Sequence, residues 1–147
     1  MTIPTLPEEL LTQIRQDEGL RLTAYQDTLG NWTIGYGHTP AHEGEVWTLA
    51  DAESALFDDV DRAANDVDGA FPWAEAMGTI RWSVLVNMAF NMGLSRLQEF
   101  HMALAAMQAG DYTEAAAQML NSLWASQVGD RAKRLAQQME TDRWVMA

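Results

Sequence analysis

The sequence contains no cysteine, so disulfides cannot stabilise the fold and the redox state of its compartment is not constrained. Basic residues are also scarce, since nine of them, only one a lysine, face 21 acidic residues and leave a net charge of −12. This balance argues against nonspecific binding to nucleic acid or to an anionic membrane, because a basic surface supplies most of the affinity in both cases.

Long apolar runs are missing as well. No stretch approaches the roughly 20 apolar residues that span a bilayer. The N-terminal stretch MTIPTLPEELLTQ has neither a basic region nor an apolar run, so no secretory signal is predicted. We therefore expect a soluble protein that depends on another protein to leave the cytoplasm.

The composition is that of a folded protein. Hydrophobic residues make up 48% of the chain, which includes six tryptophans and nine methionines. A length of 147 residues fits one domain with a substantial core, and the sequence shows no internal repeat and no low-complexity linker.

The charges are unevenly distributed. Four basic residues, Arg131, Lys133, Arg134 and Arg143, fall near the C-terminus, whereas the segment 51–68 holds seven acids and a single arginine. An acidic helix face of this kind is usually solvated surface. The basic C-terminal turn either contacts an anionic partner or neutralises the acidic helices.

The most specific stretch runs from position 17 to position 39 and reads DEGLRLTAYQDTLGNWTIGYGHT. Its pattern predicts two short strands, 20–26 and 32–36, joined by a loop at 28–31. Glycines at positions 30, 35 and 37 allow the backbone to bend and pack closely.

Two carboxylates flank this hairpin. Glu18 ends a helix predicted to begin near Pro7, where it continues an apolar stripe at the negative end of the helix dipole. Both effects favour the protonated carboxyl that a general acid requires. Asp27 lies at the hairpin loop, and Thr33 lies on the other side of the same loop. Two carboxylates from different elements beside a compact hairpin are what a glycoside hydrolase needs. The alternatives are a solvent-exposed helix-end acid and an ordinary turn acid.

The remainder of the chain is predicted to be helical. Thr48 and Asp51 indicate a capping box that opens a long helix, with positions 49, 52, 56, 60, 63 and 67 facing inward. The segment 79–92 is apolar on nearly all sides and is predicted to be the central buried helix. Further helices are expected at 96–109, at 112–123 with Asp111 as cap, and at 131–140. The fold class is therefore α+β and mostly helical.

A metal site is not predicted. His38 and His42 are four residues apart, but Pro40 lies between them and disfavours the helix that would bring both to one side. The acidic run 58–61 lacks the alternating ligands and central glycine of a calcium loop.

The segment from Glu18 to His38 follows the pattern EGLRLxxYxDxxGxxTIGxGH, and the segments 87–93 and 130–134 add NMAFNMG and DRAKR. In these three motifs the chain resembles bacteriophage lysozymes, the two-lobed muramidase endolysins of glycoside hydrolase family twenty-four. The resemblance implies one lysozyme-like domain, 1–147. It would have a hairpin-containing small lobe at about 15–50, a connecting helix at about 49–68, and a helical lobe at about 70–147 that carries the N-terminal helix.

The resemblance also implies roles for single residues. Glu18 corresponds to the general acid of the family, Asp27 to its second carboxylate, and Thr33 to the residue that helps hold the attacking water. Arg131 corresponds to the basic residue that orients the acid. His38 is expected to be structural, and Phe90 to lie near the substrate cleft.

The implied reaction is hydrolysis of the β-1,4 bond after N-acetylmuramic acid in peptidoglycan, without cofactor or metal. Inversion is implied, for which the two carboxyl groups should lie roughly 6.5–9.5 Å apart. The protein would be a monomer that waits in the host cytoplasm and reaches the wall from the periplasm once a membrane-permeabilising protein has acted.

Three alternatives remain. A lytic transglycosylase needs one acid and no water, a catalytically inactive module would only bind the wall, and chitin or a related polymer could be the substrate.

Overall fold

The computed structural model describes residues 5–147; residues 1–4, where the stretch inspected for a signal begins, lie outside the described part. A two-stranded hairpin and eight helices follow one another in the order α1 (Glu8–Glu18), β1 (Arg21–Gln26), β2 (Trp32–Gly35), α2 (Leu49–Ala70), α3 (Thr79–Met92), α4 (Leu94–Leu97), α5 (His101–Ala109), α6 (Tyr112–Leu120), α7 (Leu123–Val128) and α8 (Asp130–Thr141). A 3₁₀ turn, Ala74–Met77, links α2 to α3.

The first helix forms as the sequence predicts. Pro7 caps α1 with φ −64°, the value that its ring imposes, and Glu8 and Glu9 lie in the first turn near the positive end of the dipole. The helix ends at Glu18 because Gly19 takes φ 70°, a conformation that suits glycine.

The hairpin is antiparallel, and Tyr25 lies opposite Thr33. A β-bulge interrupts the register between Arg21 and Tyr25. The residues of β1 are mostly exposed, whereas the segment 33–36 is buried at every position. The two faces of β2 therefore do not separate into a buried and a solvated side.

Two long helices form the centre. The predicted capping box at the start of α2 is present, since Thr48 accepts from the N–H of Asp51 and Asp51 accepts from that of Thr48. The inward stripe of α2 is buried at 52, 56, 60, 63 and 67, but Leu49 is 54% exposed, so its predicted inward position was wrong. The segment 82–89 of α3 is buried throughout, as its apolar sequence predicts.

The predicted helix at 96–109 is divided in the structure. Helix α4 ends at Leu97, Phe100 has φ −79° and ψ 54°, and α5 begins at His101. The predicted helix at 112–123 ends at Leu120, and a separate α7 follows it. Asp111 caps α6 as predicted by accepting from the N–H of Glu114.

An ion pair joins α1 to α2. Arg15 donates to both carboxylate oxygens of Glu53, at 3.1 and 2.7 Å. This pairing lowers the pKa of Glu53, and Tyr36 at the end of the hairpin bonds the same carboxylate. The hairpin, α1 and α2 are thereby connected close to the last turn of α1.

The architecture is the mostly helical α+β, lysozyme-like fold that the sequence predicts. The division into a small and a large lobe stays a prediction. Within residues 5–147, no helix combines the length and the apolarity needed to cross a membrane.

Candidate active site

Glu18 lies at the tip of α1 with its side chain 22% exposed. Its Oε1 accepts a hydrogen bond of 2.9 Å from Nη1 of Arg131 on α8. The carboxylate therefore faces other protein elements while part of it remains open to solvent, as a group that exchanges a proton with a substrate must.

The second oxygen of Glu18 lies against the hairpin. A Cβ placed on Gly37 would be 2.6 Å from Oε2, and Gly37 has φ +72°. Only a glycine fits here without displacing the carboxylate. The segment that follows β2 is thus in direct contact with the acid at the end of α1.

A charged cluster surrounds the acid. Arg131 is buried, and besides Glu18 it approaches Asp17 at 3.5 Å. Arg134, one turn further along α8, pairs with Asp17 at 2.6 Å. Asn87 of α3 accepts from two nitrogens of Arg131, at 3.1 and 2.9 Å. The cluster joins α1, α3 and α8 and fixes the direction in which Arg131 points.

Asp27 is held within its own loop. Its Oδ1 accepts from the backbone N–H of Leu29 and of Asn31, at 2.9 and 2.8 Å, and its Oδ2 lies 3.3 Å from the side-chain amide of Asn31. The backbone N–H of Asn31 is the largest cause of a lowered pKa at Asp27. The side chain thus behaves as the turn acid that the sequence allowed, and it stays ionised well into the acidic range.

Thr33 shares a partner with Asp27. Its hydroxyl donates to the carbonyl of Asn31 at 3.1 Å, and the side chain is buried. Asp27 and Thr33, which flank the same loop, therefore both contact Asn31. The catalytic roles of Asp27 and Thr33 stay predictions.

His38 fastens the end of the hairpin to α2. Its Nδ1 lies 2.7 Å from Oδ2 of Asp59, and its ring packs on Trp47 at 5.2 Å between centroids. The structural role expected for His38 stays a prediction. Within the described residues, no group of three or more His, Asp or Glu side chains is placed to hold a metal ion.

Phe90 borders a cavity of about 210 Å³ whose lining also includes Gly37, the glycine that lies against Glu18. Asp59, Arg62 and Asp66 of α2 supply its charged lining. The expectation that Phe90 lies near the substrate cleft stays a prediction. A larger cavity of about 360 Å³ lies elsewhere, between the α4–α5 turn and α7.

Sequence reasoning assigned no place in this site to Asp17, Asn87 or Arg134, and it gave Gly37 a role in the backbone only. Asp17 stood beside Glu18, Arg134 was counted among the basic residues near the C-terminus, and Asn87 opened a motif that was quoted for resemblance only. The bonds of Asn87 with Arg131 and of Asp17 with Arg134 join positions 44 and 117 residues apart, a separation that no local pattern reports.

Comparisons of the sequence with known proteins identify its family. The sequence matches the family model described as phage lysozyme over residues 15–141. It is 28% identical to the "Probable T4-type lysozyme 2" of Dictyostelium discoideum, over 90% of this chain and 94% of that protein. It is 30% identical to the "Endolysin" of Acyrthosiphon pisum secondary endosymbiont phage 1, over 78% of this chain and 77% of the relative.

A further relative is much longer. The "Pre-baseplate central spike protein Gp5" of Enterobacteria phage T4 is 32% identical over 83% of this chain, yet the matching region is 26% of that protein. The family match confirms the resemblance read from the motifs. Since it covers most of the sequence, the chain belongs to the phage lysozyme family of hydrolases.

Proposed function

We propose that the protein is an endolysin that hydrolyses the β-1,4 bond between N-acetylmuramic acid and N-acetylglucosamine in bacterial peptidoglycan. The observation that carries the proposal is the position of Glu18, a partly open carboxylate held between Arg131 and the hairpin. Relatives named endolysin support a role in host lysis.

In the proposed reaction Glu18 donates a proton to the leaving glycosidic oxygen. The oxocarbenium-like centre that develops on the sugar needs a negative charge near it and a water on the opposite face. Asp27 would supply the charge, because its lowered pKa favours the ionised form, and it would accept the proton that the attacking water loses. Thr33 would help to place that water. A water entering on that face inverts the anomeric configuration.

Arg131 supports this step by orienting the Glu18 carboxylate, to which its Nη1 donates a hydrogen bond of 2.9 Å.

The working cycle that follows is that of a monomer. The enzyme would accumulate in the host cytoplasm, pass the membrane after a separate membrane-permeabilising protein has opened it, and cut the wall from the periplasm. No nucleic acid and no cofactor enters this scheme.

The test combines two variants with mass spectrometry of the fragments released from purified peptidoglycan. We expect reducing N-acetylmuramic acid ends from the wild type, and a loss of at least about 10³-fold in kcat for Glu18→Gln, since general acid catalysis contributes up to ~10⁴-fold. Asp27→Asn should also be severely impaired.

Each alternative has its own outcome. Anhydro ends together with a tolerated Asp27→Asn would identify a lytic transglycosylase instead. Binding of the wild type to peptidoglycan without release of any fragment would leave only a wall-binding role. Cleavage of chitin but not of peptidoglycan would identify chitin as the substrate.

A further inference from the structure

Asn87 determines how Arg131 is presented to the acid. Its Oδ1 accepts from Nε and Nη2 of Arg131, which leaves Nη1 directed at Glu18. Asn87 is 0% exposed and lies in the buried part of α3. The arginine is therefore held from the side opposite the carboxylate by a rigid element.

The choice of an amide at this position is informative. Nδ2 of Asn87 is buried and has no acceptor among the described residues. An aspartate would carry no such donor, and its charge would bind a guanidinium more strongly than a neutral oxygen does. If binding the Arg131 guanidinium were the only requirement, aspartate would be favoured at position 87. The neutral side chain of asparagine therefore needs a different explanation.

That explanation is the charge balance of the cluster. Two acids, Asp17 and Glu18, face two arginines, Arg131 and Arg134, within 2.6–3.5 Å. The cluster is neutral when Glu18 is ionised. An additional carboxylate at position 87 would make it negative and would oppose ionisation of Glu18, because like charges disfavour one another at short range.

We propose that Asn87 is a positioning residue for the step in which Glu18 donates its proton. It directs one N–H of Arg131 at Glu18 without adding a charge, and it thereby sets the pH range in which Glu18 can release and regain a proton. The inference rests on the proposed function, since it takes Glu18 to be the proton donor.

The other groups around Glu18 do not provide this control. From α8 Arg131 contacts it, whereas Arg134 pairs with Asp17, its neighbour on α1. The hairpin contributes Gly37, which has no charge, and His38 pairs with Asp59. Arg15, the next basic residue of α1, pairs with Glu8 and Glu53. Asn87 is the neutral member of the cluster that a single substitution can charge.

The test is the pH dependence of kcat/KM on peptidoglycan for two substitutions with opposite electrostatic effects. Asn87→Asp makes the cluster negative, so the basic limb should move to higher pH by about 0.5 unit or more. Asn87→Leu removes the oxygen that partly neutralises Arg131, so the same limb should move to lower pH while kcat falls and KM changes little.

Asn91→Asp is the matched control. Asn91 lies one turn further along α3, and its Oδ1 likewise accepts from a side-chain N–H, that of Trp124. The control adds the same charge to the same helix at a side chain that bonds Trp124 and not Arg131, and we expect a smaller shift.

The inference would be overturned if both Asn87 variants kept the wild-type pH profile and lost activity only in proportion to their folded fraction. Circular dichroism measures that fraction. If Asn87→Leu does not fold, Asn87→Asp alone tests the inference: a basic limb of kcat/KM at higher pH supports it, and an unmoved or lowered limb overturns it. An inactive Glu18→Gln together with an unshifted Asn87→Asp would reject this inference alone. An active Glu18→Gln would reject the proposed function as well.

Discussion

Gly37 carries two constraints at one position, a backbone constraint and a spatial one. Its φ of +72° lies in the region that L-residues with a Cβ avoid, and the missing side chain leaves room for Oε2 of Glu18. The first constraint concerns the stability of the hairpin, whereas the second concerns the position of the acid. The two effects can be separated by comparison with a glycine that has the backbone constraint but no neighbouring side chain.

Gly37→Ala and Gly44→Ala form such a pair. Gly44 also has a positive φ, +84°, but its added Cβ would meet no atom within 4 Å. Both variants should lose about 1–2 kcal/mol of unfolding free energy from the strained backbone. Only Gly37→Ala should displace Glu18, so we expect a loss of at least about tenfold in kcat beyond that of Gly44→Ala, which corresponds to ~1.4 kcal/mol of transition-state stabilisation. Thermal melting and steady-state kinetics measure the two effects, and equal kcat values would show that the contact with Glu18 is unimportant.

At the level of the elements, the sequence predicts well where a local signal exists. The capping box of Thr48 and Asp51 predicts the start of α2, and glycines predict the ends of α1 and α3. The break between α4 and α5 has no such signal, because the segment 96–109 contains neither glycine nor proline. The ring of Phe100 packs edge-on against Trp124 at 6.0 Å, a contact with a distant segment that accompanies the break.

The residues of the candidate site also divide into those with a local sequence signal and those without one. Glu18 is recognisable because it ends a helix just before a glycine, and Arg131 because it matches a motif. The bond of Asn87 with Arg131 joins two helices 44 residues apart, so only the folded chain reveals it. Ser122 is a different case, since its hydroxyl accepts from the N–H of Ala125 and caps α7, a local signal that sequence reasoning overlooked.

The junction between α2 and α3 contains two acids close together. Asp68 accepts from Nε1 of Trp82 at 2.8 Å. Burial raises the pKa of Glu75, and the charge of Asp68 and a hydrogen bond with it add to the increase. Oδ2 of Asp68 and Oε1 of Glu75 are both buried and find no hydrogen-bond donor among the described residues, so a bond between the two carboxyl groups requires a proton on one of them. The pair is therefore best satisfied when it holds a proton.

We expect this junction to make stability depend on pH. A carboxyl with a raised pKa in the fold contributes stability that is fully present below its ordinary pKa and is lost as the pH rises through the raised value. Glu75→Gln keeps a donor and cannot ionise, so it should raise the melting temperature relative to wild type at pH 7 but not at pH 4. Glu43→Gln, at an exposed loop position, is the control. A difference between wild type and Glu75→Gln that stays constant from pH 4 to pH 7 would contradict the shared proton.

Over the whole molecule, some of the few basic side chains are buried or partly buried in ion pairs. Arg131 and Arg134 are engaged by Asp17 and Glu18, so two of the four basic residues near the C-terminus are not available as an external basic surface. Of the two readings of the basic C-terminal turn, this favours neutralisation of acids over contact with an anionic wall. Acidic residues of α2 remain on the surface, and Asp58 among them is exposed.

A net charge of −12 should make the enzyme sensitive to salt on an anionic wall. Repulsion slows the approach at low ionic strength, and moderate salt screens it over a Debye length of ~8–10 Å. We therefore expect the rate on intact walls to rise from the lowest ionic strength to an optimum and then to fall, while the rate on an uncharged soluble oligosaccharide rises little. Replacing Asp58 and Asp61 of α2 by asparagine should move the optimum to lower salt, because less repulsion remains to be screened. Turbidity assays across a salt series measure both effects. A rate on walls that falls steadily from the lowest salt upward would mean that attraction governs the encounter, and the surface facing the wall would then have to be sought away from α2.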